Sequence, residues 1–463
     1  MMTLIEAAIA TGGTALHGNP RIEGVSTDTR CLGSGALYVA LKGERFDGHD
    51  FVPAALERGA AAVMVGADWL ADHPVAQPTL AVTDTRRALG GIAAWWRNQF
   101  VLPLIGVTGS NGKTTVKEMA AAILRAEARA GGLDTDLAVL ATVGNLNNEI
   151  GLPLMLLRLH RTHRAAVLEM GMNHPGEIAA LTRIAQPTVA VVTNAQRAHL
   201  AGLGSVSDVA HAKGEIFEGL RAGGTAVLNA DDAFCAYWRE RSGGHRVLSF
   251  GIDNPADVSA TCRLLALGSV IELTTGHGTI EVTLRVPGMH NVRNALAAAA
   301  ATLAAGASLA AVGEGLAAFA GVSGRLQVGA AESGALLIDD TYNANPDSVR
   351  AAIDVLASTA GRKILVLGDM GEIGEQTGQF HDEVGGYAKS QGVDLLFGLG
   401  VQSELAVRNF GAGGRHFASA DDLVSALRPQ LGADCAVLVK GSRFMRMERV
   451  AGALAAGGTV KEH

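Results

Sequence analysis

The sequence predicts an α/β protein of three domains, and three observations support this fold class. A chain of 463 residues is too long for a single hydrophobic core. Short apolar segments alternate with helical patterns, which is typical of parallel sheets with crossover helices. The alternation is interrupted near residues 100 and 320, which divides the chain into segments 1–100, 101–320 and 321–463.

The first segment predicts a small N-terminal α/β domain. Residues 35–41 form an apolar strand pattern between turn residues, and residues 51–66 have the pattern of a helix, a glycine stop and a strand. Residues 84–100 predict an amphipathic helix, which Pro103 follows closely.

The second segment predicts a parallel sheet with an antiparallel extension. The stretch "LPLIGVTG" predicts a buried strand that leads into a glycine loop, and a helix pattern starts at Lys113. Strands without clear helices between 245 and 286 predict the antiparallel extension. The charge-free stretch 295–313 is about long enough to span a bilayer, but its weak, alanine-rich hydrophobicity favours two buried helices around a turn. Further parallel strands are predicted in 165–171, 188–194 and 224–232.

The third segment predicts a doubly wound, Rossmann-like domain. Four stretches, "ALLIDD", "KILVLGD", "VDLLFGLG" and "CAVLVK", repeat the strand, loop and helix order. Three α/β domains with short connections favour binding sites in the clefts between them.

The composition indicates a globular protein and excludes several functional classes. The hydrophobic content is 48% and the charged content 18%, while the net charge of −7 argues against a general nucleic-acid binder. The N-terminus lacks a basic start and carries Glu6, which is atypical of a signal peptide. We expect reduced thiols in a cytoplasmic protein, because no C-x-x-C pair links the dispersed Cys31, Cys235, Cys262 and Cys435.

The stretch "GVTGSNGKTT" predicts a phosphate-binding loop between a strand and a helix. Backbone N–H groups at a helix N-terminus are unpaired and attract anions. Gly109 and Gly112 permit the tight turn, Lys113 reaches the phosphates, and the Thr114 hydroxyl can ligate Mg²⁺. The loop departs from the usual G-x-x-x-x-G-K-[ST] pattern because Val107 occupies the first glycine position. A glycine turn that binds nothing is the alternative.

The loop resembles that of the Mur ligases and the folylpolyglutamate synthetases, which use the form T-G-x-x-G-K-[ST]. These enzymes join a carboxylate to an amine through an acyl phosphate. Within the Mur ligases, the combination of "GNLNNEIG", "DDTYNANP" and "GDMGEIGE" is most similar to the branch that adds D-alanyl-D-alanine to UDP-MurNAc-tripeptide. The N-terminal "STDTRCLGSGALYVALKGERFDGHDF" resembles a uridine-nucleotide domain, so the resemblance covers nearly the whole chain. Other matching stretches are 168–178, 198–217, 339–356 and 365–385.

The resemblance implies that the middle domain binds ATP and that the third domain completes the ATP site. Asn294 would contact adenine, while Arg325 and Asp340 would contact the ribose. The catalytic residues implied are Lys113, His199 and Lys213. The full set of implied ATP-binding residues is Gly109, Ser110, Asn111, Gly112, Lys113, Thr114, Thr115, Asn294, Arg325 and Asp340.

The resemblance also implies a Mg²⁺ site formed by Thr114, Glu169, His199 and Lys213. Glu169 ends a predicted strand, at the edge where α/β sheets bind ligands. A histidine is an unusual Mg²⁺ ligand, and helix capping is the alternative for His199. Lys213 would react with CO₂ to form a carbamate, which is an oxygen ligand. A solvated lysine on a helix face is the alternative.

The remaining implied sites bind the two substrates. The first domain would hold the UDP-sugar, and Asn343 and Asn345 of the third domain would line the D-Ala-D-Ala site. Tyr342 stands where related ligases often carry lysine. Asparagines can also simply form turns, and this alternative stays open. The UDP-substrate residues implied are Thr29, Arg30, Asn145, Asn147, Asn148, Asn173 and His174.

Four other functions compete with this interpretation. The UDP-MurNAc-tripeptide synthetase shares the first domain but usually carries a D-N-P-R-like motif where this chain has "DDTYNANP". Folylpolyglutamate synthetase shares the loop. A P-loop kinase or GTPase needs no third domain of this type, and a non-catalytic ATP-binding protein is the last alternative. We expect an ATP- and Mg²⁺-dependent ligase that is monomeric, acts on small molecules, closes its third domain and neither binds nucleic acid nor inserts into a membrane.

Overall fold

The computed structural model describes residues 1–457, so residues 458–463 of the predicted third domain lie outside it. The first part of the chain forms a five-stranded sheet in the order β2-β7-β6-β5-β4, in which only the β2–β7 pair is antiparallel. A short antiparallel pair, β1 with β3, lies beside it. The elements are β1 (Met2–Thr3), α1 (Leu4–Thr11), β2 (Thr14–Leu16), β3 (Arg21–Ile22), β4 (Gly24–Ser26), β5 (Ala36–Val39), α2 (Val52–Glu57), β6 (Ala62–Gly66), α3 (Ala67–Asp72), β7 (Thr79–Val82) and α4 (Thr85–Arg97).

The middle part forms a six-stranded, all-parallel sheet in the order β13-β12-β11-β8-β10-β9. Three antiparallel strands, β14, β15 and β16, form the predicted extension. The elements are β8 (Leu104–Thr108), α5 (Lys113–Ala130), α6 (Thr135–Ala138), β9 (Val139–Ala141), α7 (Gly151–Leu156), β10 (Ala165–Glu169), α8 (Glu177–Ala185), β11 (Val189–Val192), α9 (Leu200–Leu203), α10 (Val206–Gly214), β12 (Thr225–Asn229), α11 (Cys235–Arg241), β13 (Arg246–Phe250), β14 (Ser259–Leu265), β15 (Gly268–Thr275), β16 (Gly278–Leu284), α12 (Met289–Ala304) and α13 (Leu309–Ala318).

The third part forms a six-stranded sheet in the order β17-β18-β22-β19-β20-β21, with β17 antiparallel to the rest. Apolar clusters cover both faces of this sheet, as a doubly wound domain requires. The elements are β17 (Gln327–Ala330), β18 (Leu336–Asp340), α14 (Pro346–Ala357), β19 (Arg362–Gly368), α15 (Thr377–Ser390), β20 (Leu395–Leu399), α16 (Ser403–Phe410), β21 (Gly414–Phe417), α17 (Ala420–Leu427), β22 (Cys435–Lys440) and α18 (Glu448–Leu454).

The α/β class and the parallel sheets are confirmed. The antiparallel extension is confirmed for β14 to β16, but β13, which lies in the predicted range 245–286, pairs in parallel with β12 as an edge strand of the middle sheet. The stretch 295–313 lies in α12 and α13, two helices around a turn at 305–308, as predicted. No helix within residues 1–457 has the length and the apolar character needed to cross a bilayer. All four cysteines are free thiols.

The first and middle sheets share one apolar core. Helix α4 packs against α1, α7 and α8. Its side chain Ile92 belongs to the same buried cluster as Leu4 of α1, Leu156 of α7 and Ile178 of α8. The predicted boundary near residue 100 therefore falls between two sheets but not between two cores, while that near 320 falls between α13 and β17.

Candidate active site

The candidate site lies at the carboxyl ends of β8, β10 and β11, in the centre of the middle sheet. Glu169 of β10 pairs in register with Val107 of β8, and Val192 of β11 pairs with Thr108. A cleft of about 950 Å³ opens at this edge, and its lining comes from the middle and third parts of the chain. This is the edge at which open α/β sheets bind ligands.

The glycine loop connects β8 to α5, and close neighbours dictate both of its glycines. Gly109 has φ +148°, and a Cβ there would lie 1.8 Å from Thr193 Oγ1. Gly112 precedes α5 with φ +83°, and a Cβ there would lie 2.2 Å from Asn294 Oδ1. The backbone can thus turn into the helix only without side chains at these two positions.

A second segment, residues 193–196, holds the loop in place. The Asn194 carbonyl accepts the Ser110 N–H at 3.0 Å, and its side-chain Oδ1 accepts the Asn111 N–H at 2.9 Å. The Ser110 hydroxyl both accepts the Gln196 N–H and donates to the Gln196 carbonyl. The sequence did not predict these contacts, because they join residues more than eighty positions apart.

Glu169 is the negative centre of the site. It is buried, and its Oε2 accepts a hydrogen bond from the Thr114 hydroxyl at 2.6 Å, while Oε1 accepts one from Asn147 Nδ2 at 2.9 Å. Although burial acts in the opposite direction, Lys113, Arg325 and these hydrogen bonds lower the pKa of Glu169 below its ordinary value. The carboxylate therefore stays charged in the interior.

Two lysines bring positive charge to Glu169. The Lys113 ammonium lies over its own loop and donates to the carbonyls of Gly109 and Ser110 at 2.7 and 3.1 Å. Lys213 of α10 is fully buried, and no carboxylate of the described residues lies within 4 Å of it. Burial, followed by the charge of Lys113, holds the pKa of Lys213 well below its ordinary value. A solvent-exposed lysine on a helix face, the alternative from the sequence, is wrong.

His199 and Glu372 meet across the cleft in strained backbone conformations. Neither is glycine, yet φ is +59° at His199 and +61° at Glu372. His199 Nδ1 lies 3.2 Å from Glu372 Oε2, but the geometry is not that of a hydrogen bond, and Nδ1 is a buried polar atom without a partner. His199 is the N-cap residue of α9 and its carbonyl accepts the Leu203 N–H at 3.2 Å, but its side chain makes no capping hydrogen bond. Glu372 was missed as a site residue, although it lies in the motif "GDMGEIGE".

The third part of the chain contributes Arg325 and Asp340. Arg325 donates through Nη2 to the Thr114 hydroxyl at 2.9 Å, and its guanidinium lies 4.1 Å from the centre of the Tyr342 ring. Asp340 pairs with the buried Lys440 at 2.5 Å. Burial raises the pKa of Asp340, and Lys440 opposes that effect. Lys440 also donates to the Asn343 carbonyl and was missed by the sequence analysis, because only the fold shows that β18 and β22 are neighbours.

Two asparagines of the prediction have local roles in addition to their place in the cleft. Asn345 caps α14 through Oδ1 and exchanges hydrogen bonds with the Asn111 amide at 2.8 and 3.3 Å. Asn148 Oδ1 accepts the N–H groups of Ile150 and Gly151 at the start of α7. Turn formation, the alternative for these asparagines, is therefore part of what they do.

The cleft brings together most of the predicted residues but not all. Thr29 and Arg30 lie outside it, and Arg30 is paired with Asp28 at 2.7 Å on a side chain that is 86% exposed. His174 is exposed and faces Glu177, and neither Gly109 nor the buried Lys213 lines the cleft. The predicted residues that line the cleft are Ser110, Asn111, Gly112, Lys113, Thr114, Thr115, Asn145, Asn147, Asn148, Glu169, Asn173, His199, Asn294, Arg325, Asp340, Asn343 and Asn345.

No group of three or more histidine, cysteine, aspartate or glutamate side chains among residues 1–457 could hold a metal ion. A cation at this cleft would depend on other donors. The oxygens of Glu169 and Thr114, which lie together, are ligands that suit Mg²⁺. The unpartnered Nδ1 of His199 is a further donor at the same cleft.

Three protein-family models match successive parts of the chain. Residues 21–97 match the Mur ligase family catalytic domain, residues 107–302 the Mur ligase middle domain, and residues 324–443 the Mur ligase glutamate ligase domain. Together these matches include the loop, Glu169, His199, Lys213, Arg325 and Asp340.

Individual proteins are similar over nearly the full chain. The UDP-N-acetylmuramoyl-tripeptide–D-alanyl-D-alanine ligase of Escherichia coli is 42% identical and covers 99% of both chains, and that of Bacillus subtilis is 37% identical over 93% of this chain and 92% of its own. The crystal structure of MurF from Acinetobacter baumannii has a TM-score of 0.88 at 36% identity and covers 97% of both chains. MurF from Thermotoga maritima in complex with ADP has a TM-score of 0.78 at 27% identity and covers 92% of this chain and 95% of its own. The chain belongs to the Mur ligase family.

Proposed function

We propose that the protein is an ATP-dependent ligase that joins D-alanyl-D-alanine to UDP-MurNAc-tripeptide and so makes UDP-MurNAc-pentapeptide for peptidoglycan. The observation that carries the proposal is the cleft itself. There a phosphate-binding loop and a buried carboxylate of the middle sheet meet Arg325 and Asp340 of the third sheet. Relatives of 35–42% identity with this activity cover nearly the whole chain.

The chemistry requires two anions to approach each other. The terminal carboxylate of the tripeptide attacks the γ-phosphorus of ATP, the bond to the β-phosphate oxygen breaks, and ADP leaves. The dipeptide amine then attacks the acyl carbon of the acyl phosphate, phosphate leaves, and the nitrogen loses its proton. Lys113 and Arg325 supply fixed positive charge at the contact point, and the N–H groups at the start of α5 face the phosphates.

The residues present fit a magnesium ion, except that His199 would supply a nitrogen ligand where Mg²⁺ prefers oxygen. We assign Thr114, Glu169, His199 and a carbamate on Lys213 as the groups that would hold it. A bound Mg²⁺ screens the repulsion between the carboxylate and the γ-phosphate. The unpartnered Nδ1 of His199 supports its assignment despite the preference of Mg²⁺ for oxygen.

The environment of Lys213 supports the carbamate. Only a neutral amine attacks CO₂, and burial beside Lys113 favours the neutral form. The neutral amine forms a bond to the carbon of CO₂ and releases one proton, which converts a buried neutral group into an anion. The reaction thus places a negative charge near Lys113.

Each domain would bind one substrate. We assign residues 1–100 to the UDP-sugar, 101–320 to ATP and 321–463 to the dipeptide. Thr29 and Arg30 would meet the uridine nucleotide, Asn145, Asn147, Asn148, Asn173 and His174 the sugar-pyrophosphate, and Asn343 and Asn345 the dipeptide. Asn294 would meet adenine, and Arg325 and Asp340 the ribose. We propose a monomer, because one chain supplies every group of the cleft, and a cytoplasmic location, because ATP is available there.

An assay of phosphate release tests this proposal directly. We expect release only when ATP, UDP-MurNAc-tripeptide and D-Ala-D-Ala are all present. Release without the dipeptide would indicate a kinase or hydrolase, and release with a folate or with a single amino acid would indicate another ligase of the family. Either outcome would refute the assignment.

A further inference from the structure

The segment that holds the phosphate loop also binds the third domain. Asn194 and Gln196 contact the loop, and the next residue, Arg197, extends in the opposite direction to α14 and α15. One short segment of the middle domain thus contacts both the phosphate loop and the domain that must close over it.

Arg197 makes a dense set of contacts across the domain boundary. Its backbone N–H donates to Asp347 Oδ2 at 2.9 Å, and its Nε and Nη2 donate to Asp347 Oδ1 at 3.0 and 2.6 Å. Nη1 and Nη2 donate to the two oxygens of Glu383 at 2.8 and 3.1 Å. The guanidinium also lies 5.2 Å from the centre of the Phe380 ring.

These contacts differ from an ordinary surface ion pair. Isolated exposed pairs contribute little to stability, but a guanidinium that binds two carboxylates at once is held rigidly. The side chains of Arg197 and Asp347 are each only 24% exposed, and that of Glu383 is 31% exposed. Without the arginine side chain, Asp347 would lose its cation, and Glu383 would keep only Arg350 of its own domain.

The position of Asp347 connects these contacts to the reaction centre. Asp347 lies in the first turn of α14, and the cap of that helix, Asn345, pairs with Asn111 of the phosphate loop. The same end of α14 is therefore held at two points of the middle domain. A loop of residues 341–345 connects strand β18, which ends in Asp340, to α14.

We propose that Arg197 is a positioning residue for the ligation: it fixes α14 against the middle domain so that Asp340 and Arg325 face the phosphate loop. The effect on the reaction rests on the proposed function, but the effect on domain docking does not. An ion-pair contact of this kind weakens as salt rises.

The chain offers a matched control for the test. Arg350 also donates to Glu383 at 2.8 Å and lies 4.1 Å from the centre of the Tyr387 ring, but its partners all belong to the third domain. Arg350→Ala therefore removes an arginine from the same carboxylate without removing a contact between domains.

Small-angle scattering of the full chain at low and high salt, without substrates, is the first measurement. At low salt, we expect a larger radius of gyration for Arg197→Ala than for the wild-type protein. The radius of the wild-type protein should approach that of Arg197→Ala at high salt. The radius of Arg350→Ala should equal that of the wild-type protein. Arg197→Lys keeps the charge but cannot bind both carboxylates in the same geometry. Its radius of gyration should therefore lie between those of the wild-type protein and Arg197→Ala. Equal radii for Arg197→Ala and wild type, or an equal increase for both alanine variants, would overturn the proposal.

The second measurement separates KM from kcat. We expect Arg197→Ala to raise the KM for ATP roughly tenfold and to lower kcat less, because docking completes the ATP site. Combining it with Asp347→Asn should add little to either effect, since both variants break the same contact. Fully additive effects would overturn the proposal. A wild-type protein without ligase activity would refute the proposed function, and the scattering result would still decide the docking role.

Discussion

Replacing Gly112 with alanine tests how closely the phosphate loop is fitted to its surroundings. Gly112 precedes α5 with φ +83° and ψ −9°. The new Cβ would lie 2.2 Å from Asn294 Oδ1, which is too close for both groups to stay where they are. Asn294 would have to move, and its hydrogen bond to Asn291 at 3.1 Å would be lost.

The expected magnitude has two parts. The left-handed conformation costs an alanine about 1 kcal/mol relative to glycine. The broken buried hydrogen bond costs about 1 kcal/mol more. Because Asn294 is the proposed adenine contact, the second part should also weaken nucleotide binding, and a loss of about 1.4 kcal/mol corresponds to a tenfold rise in Kd.

Gly176 provides a matched control. It precedes α8 with nearly the same dihedral angles, φ +85° and ψ −17°, but a Cβ there meets nothing within 4 Å. We expect Gly176→Ala to lower the free energy of unfolding by about 1 kcal/mol and to leave the affinity for ADP unchanged. We expect Gly112→Ala to lower the free energy of unfolding by about 2 kcal/mol and to bind ADP roughly tenfold more weakly. Urea unfolding and titration calorimetry with ADP measure both quantities. Equal ADP affinities for the two variants would refute this account of the loop.

Ionisable groups that are buried or partly buried give three further predictions. Lys213→Ala should abolish phosphate release, and short carboxylates should restore part of it if the lysine acts as a carbamate; full activity in the variant would contradict a catalytic role. Arg97 is fully buried at the junction of the first two sheets and donates to three carbonyls, so Arg97→Met should lower the unfolding free energy by about 3 kcal/mol or more in urea, with Arg97→Lys intermediate. Burial, then Lys440 and Arg293, lower the pKa of His290 from 6.5 to about 4. Since only the unfolded chain then takes up the proton, wild-type protein should lose about 2 kcal/mol of stability between pH 7 and pH 5, and His290→Asn should lack this component of the loss.

Local patterns predicted the elements that build the site. The apolar runs of β8, β10 and β11 and the helix pattern of α5 depend on neighbouring residues only, so the position of the loop followed from the sequence. The edge strands β17 and β21 were missed, because both are short and mostly exposed. The capping role of Asn345 could have been predicted, since proline and serine at the next and third positions are a local helix-start signal.

Pairings between distant residues could not be predicted in this way. Lys440 reaches Asp340 across 100 positions, and Arg197 reaches Asp347 across 150. Nothing in the residues around Lys440 distinguishes it from a lysine at the end of any buried strand, because its partner is set by the order of strands in the sheet. The motifs therefore predicted which residues matter, while the fold determines how their charges are paired.

The pairing of charges also explains why nucleotide binding and domain docking should depend on each other. Lys113 of the middle domain and Arg325 of the third both act on the single carboxylate of Glu169. Burial lowers the pKa of Lys113, and Arg325 lowers it further, while Glu169 opposes the effect. Docking of the third domain therefore brings Arg325 close to Glu169, which attracts it, and to Lys113, which repels it. A phosphate at the loop would add a negative charge between Lys113 and Arg325. By thermodynamic linkage, the free energy by which a bound phosphate favours docking equals the free energy by which docking favours nucleotide binding.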